Sequence, residues 1–284
     1  LSAATAVDVD SKSGWKAELH VRLGLRDGRT EVRDARHRGP LRIQRAFHPE
    51  LDGAAHLVLL HPPAGLVSGD RLQIDLEVEH GARALFTTTG AGKAYRSSGA
   101  EASTTTRLLV GAGADAELVP QESVIFDGAR ARLHTQVELD TDARFLGWEV
   151  VCLGRPACGE RFERGRLRLA FEVARHGRPW SIERGVIEGG DPLLDAAFGM
   201  QGWPAFGTLV ATHASLDAVR DAIVSFDAPV AATSVESGDR AEALVVVRAL
   251  GRDGAHARSA LERARHAVRT SWSRPPVDPA IWRS

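Results

Sequence analysis

The sequence predicts a mainly β fold, a β-helix-like stack of sheets with two or three helices in the C-terminal third. Three observations predict it. Several segments alternate apolar and polar residues without a break: Leu72 to Glu79 puts Leu72, Ile74, Leu76 and Val78 on one face, and Arg166 to Val173 does the same with Leu167, Leu169, Phe171 and Val173. A turn signal recurs in Val78 to Phe86, Val110 to Leu118 and Leu139 to Leu146. Each ends a strand, turns through Gly-Ala or Asp-Ala and begins another, at a spacing of roughly 30 residues that suits stacked β units better than a simple sandwich. Helical periodicity is confined to the chain beyond Gly190.

Taken in order, Trp15 to Leu25, the Asp27-Gly28 turn and Thr30 to His37 read as a hairpin. Leu41 to Phe47, His56 to Leu60, Arg83 to Thr88, Ser103 to Val110, Ala131 to Leu139, Arg144 to Leu153 and Trp180 to Ile187 complete the body. Ser215 is an N-cap for a helix that places Leu216, Val219 and Ile223 on one face. Ala255 to Arg269 is a second helix, with Leu261, Ala264 and Val268 on its apolar stripe. Gly207 to Thr212 and Ala243 to Leu250 read as buried strands. The prolines between Ser273 and Trp282 forbid a continuous helix and suggest a tail lying extended on the surface. The expected organisation is a disordered tail over residues 1–14 and a single domain over 15–284, made of a β body (15–190) and a helix-containing part (191–284).

Composition removes several function classes. The 284 residues carry 36 basic and 37 acidic side chains, a net charge of −1, which lacks the basic surplus of a nucleic-acid binder. Aromatics make up 6%, too few for a base-stacking surface. No stretch approaches the roughly 18 apolar residues of a membrane span. Leu1 to Ser13 lacks the basic and apolar regions of a secretory signal. Cys152 and Cys158 cannot staple a chain of this size and point to a reducing compartment.

Four loops are longer than a packed core needs: His61 to Asp70, Thr87 to Ser97, Pro120 to Gly128 and Gly154 to Glu160. Loops on a rigid β scaffold are where binding chemistry sits. Gly90 to Lys93 invites a phosphate-loop reading, but Thr87 and Ala94 occupy the positions where that loop needs a glycine and a hydroxyl. The histidines show no ligand spacing, and Ser68, Ser97 and Ser98 have no neighbouring base. The acids Glu122, Asp127, Glu149 and Glu160 remain. Glu149 interrupts the apolar run Phe145 to Leu153 and shares a face with Gly147 and Val151, so period two aims it inward. There an ionised carboxylate must be paired, hydrated or metal-bound. A salt bridge to an arginine such as Arg130, Arg155 or Arg184 is the plainest fate for such acids.

Together the loops carry a resemblance. Leu60 to Asp70, Thr87 to Arg96, Pro120 to Glu122 with Phe126 to Ala129, and Gly147 to Glu149 running into Leu153 to Pro156 resemble the urease accessory protein UreD family, also called UreH. The likeness extends from Gly39 to Trp282. Ala64 and Ser68 stand where that family often has glycine, and Ala94 where it often has an aromatic residue.

The resemblance implies a non-catalytic cytoplasmic scaffold that acts with UreF, and through it the GTPase UreG, to load nickel into the urease apoprotein. It also implies an internal passage and no tightly bound cofactor, with nickel only in transit. Glu122, Asp127, Glu149 and Glu160 are then the candidate passage acids, since oxygen ligands release a borderline metal more readily than thiolates. Two alternatives stand beside it: an assembly protein that remodels the urease apoprotein without contacting metal, and a carbohydrate-active β-helix enzyme using paired carboxylates.

Overall fold

The computed structural model describes residues 14–236 and 243–283; of the expected tail, only Gly14 falls within them. The recurring Gly-Ala and Asp-Ala turns are what make the chain stack. Gly81, Gly113 and Asp142 all adopt positive φ, at 65°, 61° and 53°, a conformation glycine tolerates and aspartate can reach. The alanine after each, Ala82, Ala114 and Ala143, is completely buried. Successive corners are tied together, because Gly81 N–H donates to the Ala112 carbonyl (3.1 Å) and Gly113 N–H to the Thr141 carbonyl (2.9 Å).

The strands of the first half are β1 (Lys16–Arg26), β2 (Arg29–Arg38), β3 (Arg42–Ile43), β4 (Ala55–Leu60), β5 (Arg71–Val78), β6 (Arg83–Thr88), β7 (Gly92–Ala94), β8 (Ala102–Val110), β9 (Asp115–Leu118) and β10 (Ser123–Ile125). They are followed by β11 (Arg130–Leu139), β12 (Arg144–Leu153), β13 (Arg166–Arg175), β14 (Arg178–Glu188), β15 (Ala205–Ala211), β16 (Val230–Glu236) and β17 (Ala243–Gly251). Two α-helices, α1 (Leu216–Ile223) and α2 (Gly254–Ser271), sit in the C-terminal third. The expected fold class therefore holds.

Chain order explains the architecture. Strands β5, β8, β11 and β13 run parallel in one sheet, and β4, β6, β9 and β12 run parallel in the other. The chain alternates between the two, which winds it into a two-sheeted β-solenoid. Antiparallel partners close the stack: β1 with β2 and β13 with β14 flank the first sheet, and β15, β17 and β16 extend the second. Between the sheets, Leu76, Leu108, Val137 and Phe171 meet Phe86, Leu118 and Phe145. On the outer face of the second sheet, α1 and α2 cover Leu85, Leu146, Trp148, Val150 and Leu209.

The four long loops are themselves part of the stack. Leu66, Ala94, Ile125 and Leu153 lie in one parallel column through the Leu66–Ala94 bridge, β7, β10 and the end of β12. All four are buried. The loops thus form a third, short side of each turn of the solenoid, and packing does require them. Leu41 to Phe47 yields only the two residues of β3 and an isolated Phe47–His56 bridge. The C-terminal tail does not lie extended on the surface. Ala280–Arg283 forms a 3-10 turn, and Trp282 stacks on Trp148 with ring centroids 5.6 Å apart and donates from Nε1 to Thr87 Oγ1 at 2.9 Å.

Candidate functional site

Inside the solenoid the two sheets do not meet along their whole width. A cavity of about 380 Å³ runs from the His61 loop past the loop-side ends of successive turns to Glu149 on β12. Leu72, Ile74, Thr104, Thr106, Leu133 and Thr135 form its wall on the first sheet. Threonines take these inward positions because an open space hydrates a hydroxyl where a packed core would not. Exposed Ala64, Thr89, Gly90 and Gly92 also belong to the wall, so the cavity reaches solvent on the loop side.

Among the described residues Glu149 is the one carboxylate in that wall. Alternation on β12 places it inward with Phe145 and Val151, as period two requires. Among the described residues no hydrogen bond or ion pair reaches it, so the arginine partner expected for such an acid is missing. Burial, reinforced by the nearby charge of Glu183, pushes its carboxyl up from 4.5 to about 8. At neutral pH the group is mainly the neutral acid. It lies deep in the protein, yet it is not sealed, because its side chain retains access to the cavity.

The other three candidate acids sit elsewhere. Glu122 packs beneath the start of α2, its Oε2 3.5 Å from Arg258 Nε. Asp127 accepts from the backbone N–H of Glu163 (3.1 Å) and Arg164 (2.8 Å) and from Arg164 Nη2 (2.5 Å). Burial opposes its ionisation, but these bonds win and hold its carboxyl below the ordinary range. Glu160 is lowered chiefly by its hydrogen bond from Arg155 Nη2 (2.5 Å). The backbone N–H of Asp127 also donates to Glu160 Oε1 at 3.2 Å. The structure therefore brings Asp127 and Glu160 together in the loop column and leaves Glu122 and Glu149 apart from them. Two lowered acids offer no proton donor, whereas glycoside cleavage needs one carboxyl held protonated.

A second acid cluster lies on the opposite face of the same sheet. Glu117 on β9 is 1% exposed and accepts from Arg265 Nε (2.6 Å) and from Arg269, both on α2. Arg269 also donates to Glu50, whose Oε1 lies 2.7 Å from His56 Nε2. Burial alone would raise Glu50, but the His56 hydrogen bond and the charges of Arg274 and Arg269 bring it down to about 2. Sequence reasoning missed this network. Its signal was present in Arg265 and Arg269, four apart on the same stripe as Leu261, Ala264 and Val268.

Among the described residues no three of His, Cys, Asp and Glu converge into a site that could hold a metal ion. Fold and interior together define a two-sheeted β-solenoid protein with an internal cavity ending on an unpaired acid. The family of UreD urease accessory proteins matches residues 16–283, and the chain belongs to it. It is 50% identical over 196 residues to the urease accessory protein UreD of Dechloromonas aromatica, covering 69% of this chain and 68% of that one. It is 40% identical over 275 residues to urease accessory protein UreD 2 of Brucella anthropi, covering 95% and 98%, and 46% identical over 208 residues to UreD of an Azoarcus species, covering 73% of each. As a family member the chain is a urease accessory protein.

Proposed function

We propose that this protein is a non-catalytic scaffold for urease maturation. In this reading it acts with UreF, and through it with the GTPase UreG, on the urease apoprotein, and nickel moves through its interior as cargo. The observation that carries the proposal is the solenoid cavity with Glu149, the one acid in its wall among the described residues, which no hydrogen bond or ion pair there engages although Lys93 and Arg132 line the same cavity. A paired carboxylate is already occupied and a converged set of three would trap the ion; one acid among threonine hydroxyls, with Lys93 and Arg132 on the same wall, offers weak, brief coordination. Asp127 and Glu160 leave the passage set because arginine hydrogen bonds occupy them, and Glu122 leaves it because it packs under α2, outside the cavity wall. The free cysteines Cys152 and Cys158 suit a reducing, cytoplasmic setting.

The test is co-expression of urease with its accessory proteins, followed by measurement of nickel per urease active site. Glu149→Gln is expected to lower nickel content severalfold while the accessory complex still co-purifies with urease. Glu122→Gln is expected to leave loading unchanged. Full loading with Glu149→Gln would remove the passage reading and favour the alternative, remodelling of the apoprotein without metal contact.

A further inference from the structure

The two ends of the first sheet are finished differently. Its edge strand β2 shows solvent a charged run, Arg33, Arg36, His37 and Arg38, which discourages pairing with another strand. The edge strand at the other end, β14, exposes Ile182 (51%) and Val186 (57%) on either side of Arg184. The ladder fixes which backbone groups this edge offers. Gly189 N–H donates to the Gly165 carbonyl (3.0 Å), and in an antiparallel pair bonded and unbonded positions alternate. Glu183, Gly185 and Ile187 therefore bond to β13, while Ile182, Arg184 and Val186 turn their N–H and C=O groups away from it. Among the described residues no other strand or loop receives those groups.

The two sheets also end out of step. Arg248 on β17 pairs with Glu183 on β14, so these strands face each other across the interior. Beyond β17 the second sheet continues into β16, whereas among the described residues the first sheet has no strand beyond β14. Val246 and Leu244 of the core lie opposite Thr233 and Val235, which makes the face carrying Ala231, Thr233 and Val235 the inner face of β16. All three are exposed. Beside them Ile187, Met200, Phe206 and Leu250 line an open groove. Gly185 has open space where a side chain would stand, and a glycine inside a strand often marks a close approach of another backbone.

We propose that the vacant position beside β14 is a docking site for an extended segment of a partner protein, which adds to the sheet as a further strand and covers the bare face of β16. Its neighbours set its chemistry. The side toward Ala231, Thr233 and Val235 suits small apolar or hydroxyl residues. The other side lies beside Ile182, Arg184 and Val186 and suits an acid flanked by apolar residues, with exposed Arg178 adding to the preference for negative charge. Pro179 and the inward Glu183–Arg248 pair guard the edge against indiscriminate pairing. The inference rests on the scaffold reading above, for which it supplies a surface that holds a partner, and is independent of the passage.

The experiment is fluorescence anisotropy of the purified full-length protein with a fluorescein-labelled peptide, Thr-Val-Val-Thr-Asp-Thr-Val-Val-Thr. Saturable binding below about 1 mM is expected. Lysine in place of the peptide's aspartate is expected to weaken it about twofold to fivefold. Val186→Pro removes an outward N–H but no bond to β13, and is expected to weaken binding at least about tenfold with unchanged circular dichroism. Val235→Asp, on the exposed face of β16, is expected to weaken it about threefold or more, which keeps the test open if the proline variant fails to fold. No binding up to about 1 mM, a lysine peptide that binds as well, or indifference to both variants overturns the site. Self-association without peptide that Val186→Pro abolishes, read by sedimentation, makes a second copy the occupant and overturns the assignment to a partner. The nickel-loading assay separates the two levels. Loading that depends on Glu149 while peptide binding ignores the edge variants refutes the site and leaves the proposed function standing. Peptide binding that behaves as stated while Glu149→Gln loads urease fully refutes the passage and leaves the site.

Discussion

Glu117 and Glu149 stand on neighbouring strands of one sheet, β9 and β12, and face opposite ways. Outward-facing Glu117 is sealed under α2 with two arginines and held below the ordinary carboxyl range, their charges overcoming its burial. Inward-facing Glu149 has burial and a like charge, and it is raised. One sheet thus keeps an ionised acid and a neutral acid by the choice of what lies across from each face. The outer network pins the C-terminal helix to the solenoid. The inner acid, with no hydrogen bond or ion pair among the described residues, pins nothing.

The largest effect should come from breaking the outer network. Arg269→Ala leaves Glu117 and Glu50 short of a buried partner and is expected to cost about 3–5 kcal/mol in denaturant unfolding, as for other buried pairs that lose one member. A loss under about 1 kcal/mol would show that the helix is held by apolar contact alone.

Glu149→Gln should have the opposite sign. The unfolded chain releases the Glu149 proton near 4.5 and the folded protein near 8. Between these values folding must retain a proton the unfolded state gives up, so stability falls as pH rises and levels off above about 8. The glutamine variant is therefore expected to be more stable than the parent at about pH 8, by up to a few kcal/mol, and nearly equal to it near pH 4. Parallel melting curves for the two proteins across pH would contradict this.

Smaller effects sharpen the contrast between packed and open interior. Ala114, the corner residue leading into β9, has no exposed surface, and Ala114→Leu is expected to lose about 1–3 kcal/mol through overpacking. A neutral result would mean the corners have slack. Glu160→Gln, in the part-exposed Arg155 pair, should stay within about 1 kcal/mol of the parent in the same assay.

The inward aim of Glu149 was legible from alternation along β12, and the stacking was legible from the turn echo. Both are local signals. The partners were not legible, because they come from other turns or other elements. Arg164 reaches Asp127 from the next turn of the stack, and Arg258 reaches Glu122 from α2. Glu183 and Arg248 meet only because β14 and β17 close the same end of the two sheets. Glu117, between Ala116 and Leu118, reads in sequence as the solvent side of an alternating strand, and only the covering helix makes it buried. The loop column was misjudged as irregular because Leu66, Ala94, Ile125 and Leu153 come from segments far apart in sequence and form a ladder only after stacking.

The most direct measurement is the ionisation of Glu149 by pH-difference infrared spectroscopy. The protein is expected to show a protonated carboxyl band at about pH 7 that fades around a midpoint near 8 and is absent from Glu149→Gln. A spectrum with no such band at neutral pH, or one identical in the variant, would mean that Glu149 is ionised and matched by a charge, and the contrast between the two faces of the sheet would not exist.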